Sequence, residues 1–143
     1  MRLWHIEVIP MLPRGQLLAQ WRELNSVFAK EDQHILINYI YEYPKEDLLL
    51  YTEAVVGEMQ RRGYKIRVYD KMNAYFHGVK KPEPYKLFAH HHNFVYLEIC
   101  YFNLKEKFIR GQKDYEKGLF EQLEAFYEQK KTEFSCHKKP KTD

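Results

Sequence analysis

Cysteine is scarce in this 143-residue chain, and the two present, Cys100 and Cys136, lie too far apart to form a ligand pair. Cys100 falls within an apolar run, where a free buried thiol is the expected outcome, and a reducing intracellular compartment fits that usage. No apolar stretch approaches the roughly 20 residues of a membrane span, and the N-terminus carries no signal-peptide h-region, so a cytoplasmic protein without a membrane partner is expected. There is no P-loop, no dinucleotide fingerprint and no Gly-x-Ser-x-Gly elbow, and no internal repeat or low-complexity tract. Excess charge is also small. A net +3 does not by itself mark a nucleic-acid binder. His90-His91-His92 is the one histidine run, with His5, His34, His77 and His137 elsewhere. Adjacent residues on a helix point about 100° apart, so these three cannot converge on one ion, and no metal site is expected. One of the three is expected to face the functional site and assist phosphate binding or proton transfer.

What the chain has in quantity is aromatic side chains and unevenly placed charge. Aromatics make up 16% of the residues, a share that fills a small core more readily than it serves base stacking; Trp4 and Trp21 are assigned to the core on that ground. Residues 31–60 carry a net charge of −6 and residues 61–90 a net +6. The basic block includes Arg61, Arg62, Lys65, Arg67 and Lys71. It reads either as one wall of a phosphate groove or as a solvated loop.

Periodicity predicts helices. The first begins near Pro13, a residue suited to a first turn, and Leu17, Trp21, Leu24 and Phe28 make one apolar stripe. Gln16, Gln20 and Glu23 follow the same spacing on a neighbouring face, which puts Glu23 at the edge of the stripe. The second spans about 45–62, with Glu46 and Asp47 in its first turn, Arg61 and Arg62 in its last, and Leu48, Thr52, Val55 and Met59 facing inward; Gly63 is its stop. Residues 64–89 read as irregular. A third helix is predicted over about 91–110 and a fourth over 114–134. The expected fold is all-α: a compact single-domain bundle of three to four helices with long irregular connections, residues 1–135, followed by a flexible basic tail at 136–143.

Three segments carry a family resemblance. The helix from Gln16 to Phe28 holds the step Arg22-Glu23-Leu24; Glu58-Met59-Gln60-Arg61-Arg62-Gly63-Tyr64-Lys65-Ile66 closes the second helix; Leu104-Lys105-Glu106-Lys107 lies in the third. Together they resemble the pyrimidine-dimer DNA glycosylases of the phage endonuclease V type, over roughly residues 1–110. The resemblance implies a DNA repair enzyme with glycosylase (hydrolase) and abasic-site lyase activities. In that family the terminal α-amine is the nucleophile and the glutamate of the Arg-Glu pair is its partner. Carried over, the catalytic residues are Met1 and Glu23, and the DNA-binding residues are Arg2, Arg22 and Lys107. The implied partner is damaged double-stranded DNA, bound by a monomer that kinks the duplex and flips a nucleotide, and no metal or organic cofactor is required.

The chemistry suits those residue types. A free α-amine titrates near about 7.7–8.0, so a useful fraction is neutral at physiological pH, and a carboxylate beside it can stabilise charge developing at the sugar and move protons. Some positions depart from the family pattern. Residue 2 is arginine, whose bulk should retain Met1 as the amine donor; Gln16, Ser26 and Asn103 stand where the family carries a histidine and two arginines; the predicted fourth helix replaces an aromatic C-terminal tail. Two other readings compete: a catalytically silent DNA-binding or damage-sensing domain, and a protein-interaction domain docking through the fourth helix. Without the flanking matches, Arg22 and Glu23 are an ordinary helix-surface pair.

Overall fold

Proline and asparagine mark where the helices start. The computed structural model describes residues 1–138, and the described residues form five α-helices and two 3-10 segments with no strand. Helix α1 covers Arg14–Ala29, α2 Lys45–Arg61, α3 Asp70–Tyr75, α4 Phe94–Ile109 and α5 Lys117–Lys138; the 3-10 segments are Ile6–Met11 and Asn38–Glu42. Pro13 and Pro44 stand immediately before α1 and α2 at φ −64° and −58°, where a missing N–H costs no helical bond. Asn93 caps α4, its side chain accepting the Tyr96 N–H at 3.0 Å. Two helices stop at glycine in the left-handed region, Gly63 and Gly111, both at φ +84°. Beyond each glycine the next N–H reaches back into the helix, Tyr64 to the Met59 carbonyl at 2.9 Å and Gln112 to the Lys107 carbonyl at 3.0 Å.

Helix α1 packs on α2 and α3, and α4 on α5, with the first 3-10 segment touching α2, α4 and α5 between the two groups. The predicted stripe of α2 is the one that faces inward: Leu48, Thr52, Val55 and Met59 are all buried. On α1, Leu17, Leu24 and Phe28 are buried and Trp21 is half-buried. The α4–α5 seam is aromatic, with the Tyr101 and Tyr127 rings stacked at 4.0 Å and Phe108 on Phe120 at 4.2 Å. The aromatic surplus is thus largely a core feature.

Three boundaries differ from the sequence reading. A short helix, α3, interrupts the stretch read as irregular; none of its residues is fully buried, and its inward pair, Met72 and Tyr75, is too short a pattern to read as a stripe. Helix α4 begins at Phe94 rather than near 91, because Phe88 turns the chain at φ +47° and its carbonyl accepts both the His91 and His92 N–H groups at 2.8 Å. The three histidines therefore occupy a turn, not a helix. Helix α5 starts at Lys117 and runs through Lys138; residues 139–143 of the expected basic tail lie outside the described residues.

Asp47 holds the Phe88 turn. This carboxylate, 3% exposed in the first turn of α2, accepts the Phe88 N–H at 2.9 Å and the Tyr85 hydroxyl. Asp47→Ala strands the buried Phe88 N–H and releases the exposed Tyr85 hydroxyl to water, and is expected to cost roughly 1–3 kcal/mol, read as a lower urea midpoint, whereas Asp47→Asn keeps part of the stability.

Candidate active site

Residues 2–5 form neither helix nor strand as they run into an all-helical core, and among the described residues no strand takes up their backbone hydrogen bonds. Side chains do that work. Gln20 of α1, fully buried, uses its whole amide: Nε2 donates to the Arg2 carbonyl at 3.1 Å and to Glu23 Oε2 at 3.2 Å, while Oε1 accepts the Trp4 N–H and the Tyr51 hydroxyl, both at 2.8 Å. The Tyr51 hydroxyl also meets the Trp4 carbonyl at 2.7 Å, and Tyr96 donates to the Leu3 carbonyl. The His5 N–H points at Cys100 Sγ at 3.4 Å, and the Ile6 N–H donates to His92 Nδ1 at 3.0 Å. That last bond fixes the tautomer of His92. Its proton sits on Nε2, facing the Tyr39 hydroxyl at 2.6 Å. Burial pushes the His92 pKa down to about 3, so the ring stays neutral in this role.

The pinned arm delivers the chain terminus to a cleft of about 310 Å³ lined by Met1, Arg2, Trp4, Gln16, Glu23, Leu36, Asn103 and Lys107, among others. Glu23 is half-buried there. Burial raises its pKa, and the positive Met1 amine, the Arg2 backbone N–H and the Arg22 and His34 side chains pull the other way. A carboxyl so placed can hold a proton closer to neutrality than an exposed one and still feel a cation at the amine. The Arg2 guanidinium lies over the Tyr96 ring at 5.8 Å, which sends much of this side chain along the cleft wall.

Met1, Arg2, Glu23 and Lys107 therefore meet in one cleft, and Arg22 does not. Exposed Arg22 opens onto a second groove of about 720 Å³ on the neighbouring face of α1, shared with Trp21, Lys65, Arg67 and Lys71 and with Asp70 as its one acid. Consecutive residues on a helix diverge by about 100°, so the Arg-Glu step supplies two grooves rather than one ion pair. Part of the basic block thus lines a groove wall. None of the three adjacent histidines lines the Met1 cleft: His92 braces the arm, His91 Nδ1 bonds the Tyr43 hydroxyl at 2.6 Å, and His90 is exposed. Among the described residues no group of three His, Cys, Asp or Glu side chains is disposed to hold a metal ion. The sequence reading passed over Gln20, Tyr51, Tyr96 and His34. Only Gln20 left a signal, one turn before Glu23 on the same face.

The family model for pyrimidine dimer DNA glycosylase matches residues 1–72. The chain belongs to that family. The match takes in the arm, α1 and α2, hence Met1, Arg2, Arg22 and Glu23, and ends inside α3, so Asn103 and Lys107 join the site through folding alone. Comparison with curated proteins and with solved structures finds no match. Family membership makes the protein a DNA repair glycosylase directed at pyrimidine dimers, with DNA as its substrate. No described helix is long and apolar enough to cross a membrane.

The displaced Glu23 pKa has a consequence for stability. Because the folded value lies above the unfolded one, the native state holds the extra proton between the two, and stability falls as pH rises through that window. Glu23→Gln removes the penalty. The variant is expected to unfold at a higher urea concentration than wild type at pH 7, with the difference vanishing below the ordinary carboxylate range.

Proposed function

We propose that this glycosylase is also an abasic-site lyase that acts as a monomer on duplex DNA, with the Met1 α-amine as nucleophile and no metal or organic cofactor. The observation that carries the reading is the shared cleft of Met1 and Glu23, in which the amine's charge acts on a half-buried carboxyl. The neutral amine attacks C1′ of the damaged nucleotide, the glycosidic bond breaks, and the bond's electron pair leaves with the base. Glu23 steadies the positive charge that grows at the sugar. Proton transfer to the ring oxygen opens the sugar and leaves an imine to Met1. The imine acidifies the 2′ carbon; loss of a 2′ proton expels the 3′ phosphate, and water then hydrolyses the imine and restores the amine.

Substrate positioning falls to the cations. In this reading Lys107 on the cleft wall and Arg22 with Lys65, Arg67 and Lys71 in the second groove meet phosphates of the duplex; their positions along two adjacent grooves support it. Gln16 and Asn103 add neutral hydrogen-bonding groups to the cleft where the resemblance would place a histidine and an arginine.

Borohydride trapping on duplexes bearing a thymine dimer or an abasic site tests the reading. The expected adduct maps to the Met1 amine on both; an adduct on a lysine refutes the terminal nucleophile, and no adduct on either duplex leaves a silent DNA-binding domain. Glu23→Gln is expected to keep duplex affinity and to lose base release by about a hundredfold or more. Arg22→Ala should instead weaken binding to all duplexes and lower the salt slope by roughly one.

A further inference from the structure

Helix α4 is apolar on two opposite sides. Leu97, Cys100, Tyr101 and Leu104 face the core, while Val95, Ile99, Phe102 and Ile109 are between 43% and 69% exposed. At about 100° per residue these exposed four fall within roughly 80° of one another and make a second stripe along the helix. Glu106, paired with Arg110 at 2.9 Å, is the one charged residue inside that arc. The outer face of a surface helix ordinarily carries polar and charged residues, and a helix apolar all round is one that is covered all round. Single exposed hydrophobics need no account of their own, but a contiguous row on one helix marks a surface that another molecule covers.

Charge along the stripe's edge says what covers it. The rings of Tyr101 and Tyr127 flank Phe102 at 5.2 and 5.8 Å, and their hydroxyls hold two carboxylates beside it: Tyr127 donates to Glu98 Oε2 at 2.5 Å and Tyr101 to Glu124 Oε2 at 3.3 Å. Glu121, Glu124 and Glu128 stand three and four residues apart on α5, so they share one face and repel one another. Among the described residues Glu98, Glu124 and Glu128 form no ion pair. Lys105, 5.9 Å from the Tyr101 ring centre, stands beside the row, and Lys117 and Lys131 close its two ends. An edge that is acidic along its middle repels a phosphate backbone and attracts a polypeptide carrying lysine or arginine. An apolar stripe one helix wide beside a row of carboxylates is the complement of an amphipathic helix with a basic edge. We propose that the α4–α5 face docks a basic amphipathic helix of another protein, its apolar side on Val95, Ile99 and Phe102 and its cations over Glu98, Glu124 and Glu128. Asn103 and Lys107 line the Met1 cleft from the adjoining side of α4, and the inference does not rest on the chemistry proposed for that cleft.

The test titrates the full chain against two fluorescently labelled helical peptides and reads anisotropy. Both peptides carry leucine at helical spacing on one face; one has lysine and arginine along the neighbouring edge, the other glutamate. Wild type is expected to bind the basic peptide saturably, more weakly as salt rises, and to leave the acidic one unbound. Phe102→Ser should weaken that binding about tenfold or more, and the double change Glu124→Lys, Glu128→Lys should reverse the preference between the peptides. Circular dichroism checks the fold of each variant; if Phe102→Ser does not fold, Val95→Ser, at a more exposed position, carries the same expectation. No saturable binding of the basic peptide by wild type, equal binding of both peptides, or binding unmoved by these variants overturns the proposal. Wild type that self-associates in sedimentation, and loses this in Phe102→Ser, assigns the face to a second copy and overturns it. A Phe102→Ser protein with weakened affinity for duplex DNA assigns the face to DNA and overturns it too.

Discussion

A segment that is neither helix nor strand, inside a helical protein, must find hydrogen-bond partners that no sheet supplies, and the active cleft depends on how this chain meets that demand. Buried side chains from α1, α2 and α4 take the backbone groups of the N-terminal arm one after another: Gln20, Tyr51, Tyr96, Cys100 and, from the turn before α4, His92. Leaving any of these buried groups unpaired would cost about 1–3 kcal/mol. Among the described residues no buried side-chain nitrogen or oxygen lacks a partner. The same network that satisfies the backbone also fixes the terminal amine relative to Glu23, since Gln20 bonds the arm and the carboxylate at once. Structural and catalytic requirements converge on a single amide.

The two faces of α1 open onto different grooves. Glu23 faces a confined cleft in which burial keeps its pKa high, a setting suited to moving protons. Trp21 and Arg22 face a larger groove with Lys65, Arg67 and Lys71, where exposed cations meet solvent and salt screens them. Under the proposed function, electrostatic attraction in that groove acts without sequence preference and sets register on a phosphate backbone, while specificity is decided at the cleft.

The C-terminal half serves the site by support. Helix α5 packs along α4 through stacked aromatic rings, and α4 supplies Asn103 and Lys107 to the cleft and Tyr96 and Cys100 to the arm. Lys130 of α5 approaches Glu7 at 3.8 Å, linking this helix to the segment that follows the arm. Tyr115, just before α5, reaches the Met11 carbonyl at 3.1 Å. The helix that stands in place of an aromatic tail thus braces the segment on which the amine depends.

The sequence alone determined the helical class, the inward stripe of α2 and the stop at Gly63, because these rest on short-range spacing and local backbone preferences; the family was legible through the resemblance of three segments, and the family model matching residues 1–72 shows it. It did not locate α3, whose inward pair is too short a pattern, or the start of α4, which a positive-φ turn at Phe88 and the Asn93 cap decide between them. It placed one of the adjacent histidines at the site, whereas His92 turned out to brace the arm from behind. Tertiary structure alone decided that Arg22 and Glu23 open onto different grooves, that Lys107 and Asn103 of α4 close the cleft of α1, and that Gln20 clamps the arm. Each of these joins residues distant in sequence through the packing of helices or the pairing of buried polar groups, and such partnerships leave no periodic trace along the chain.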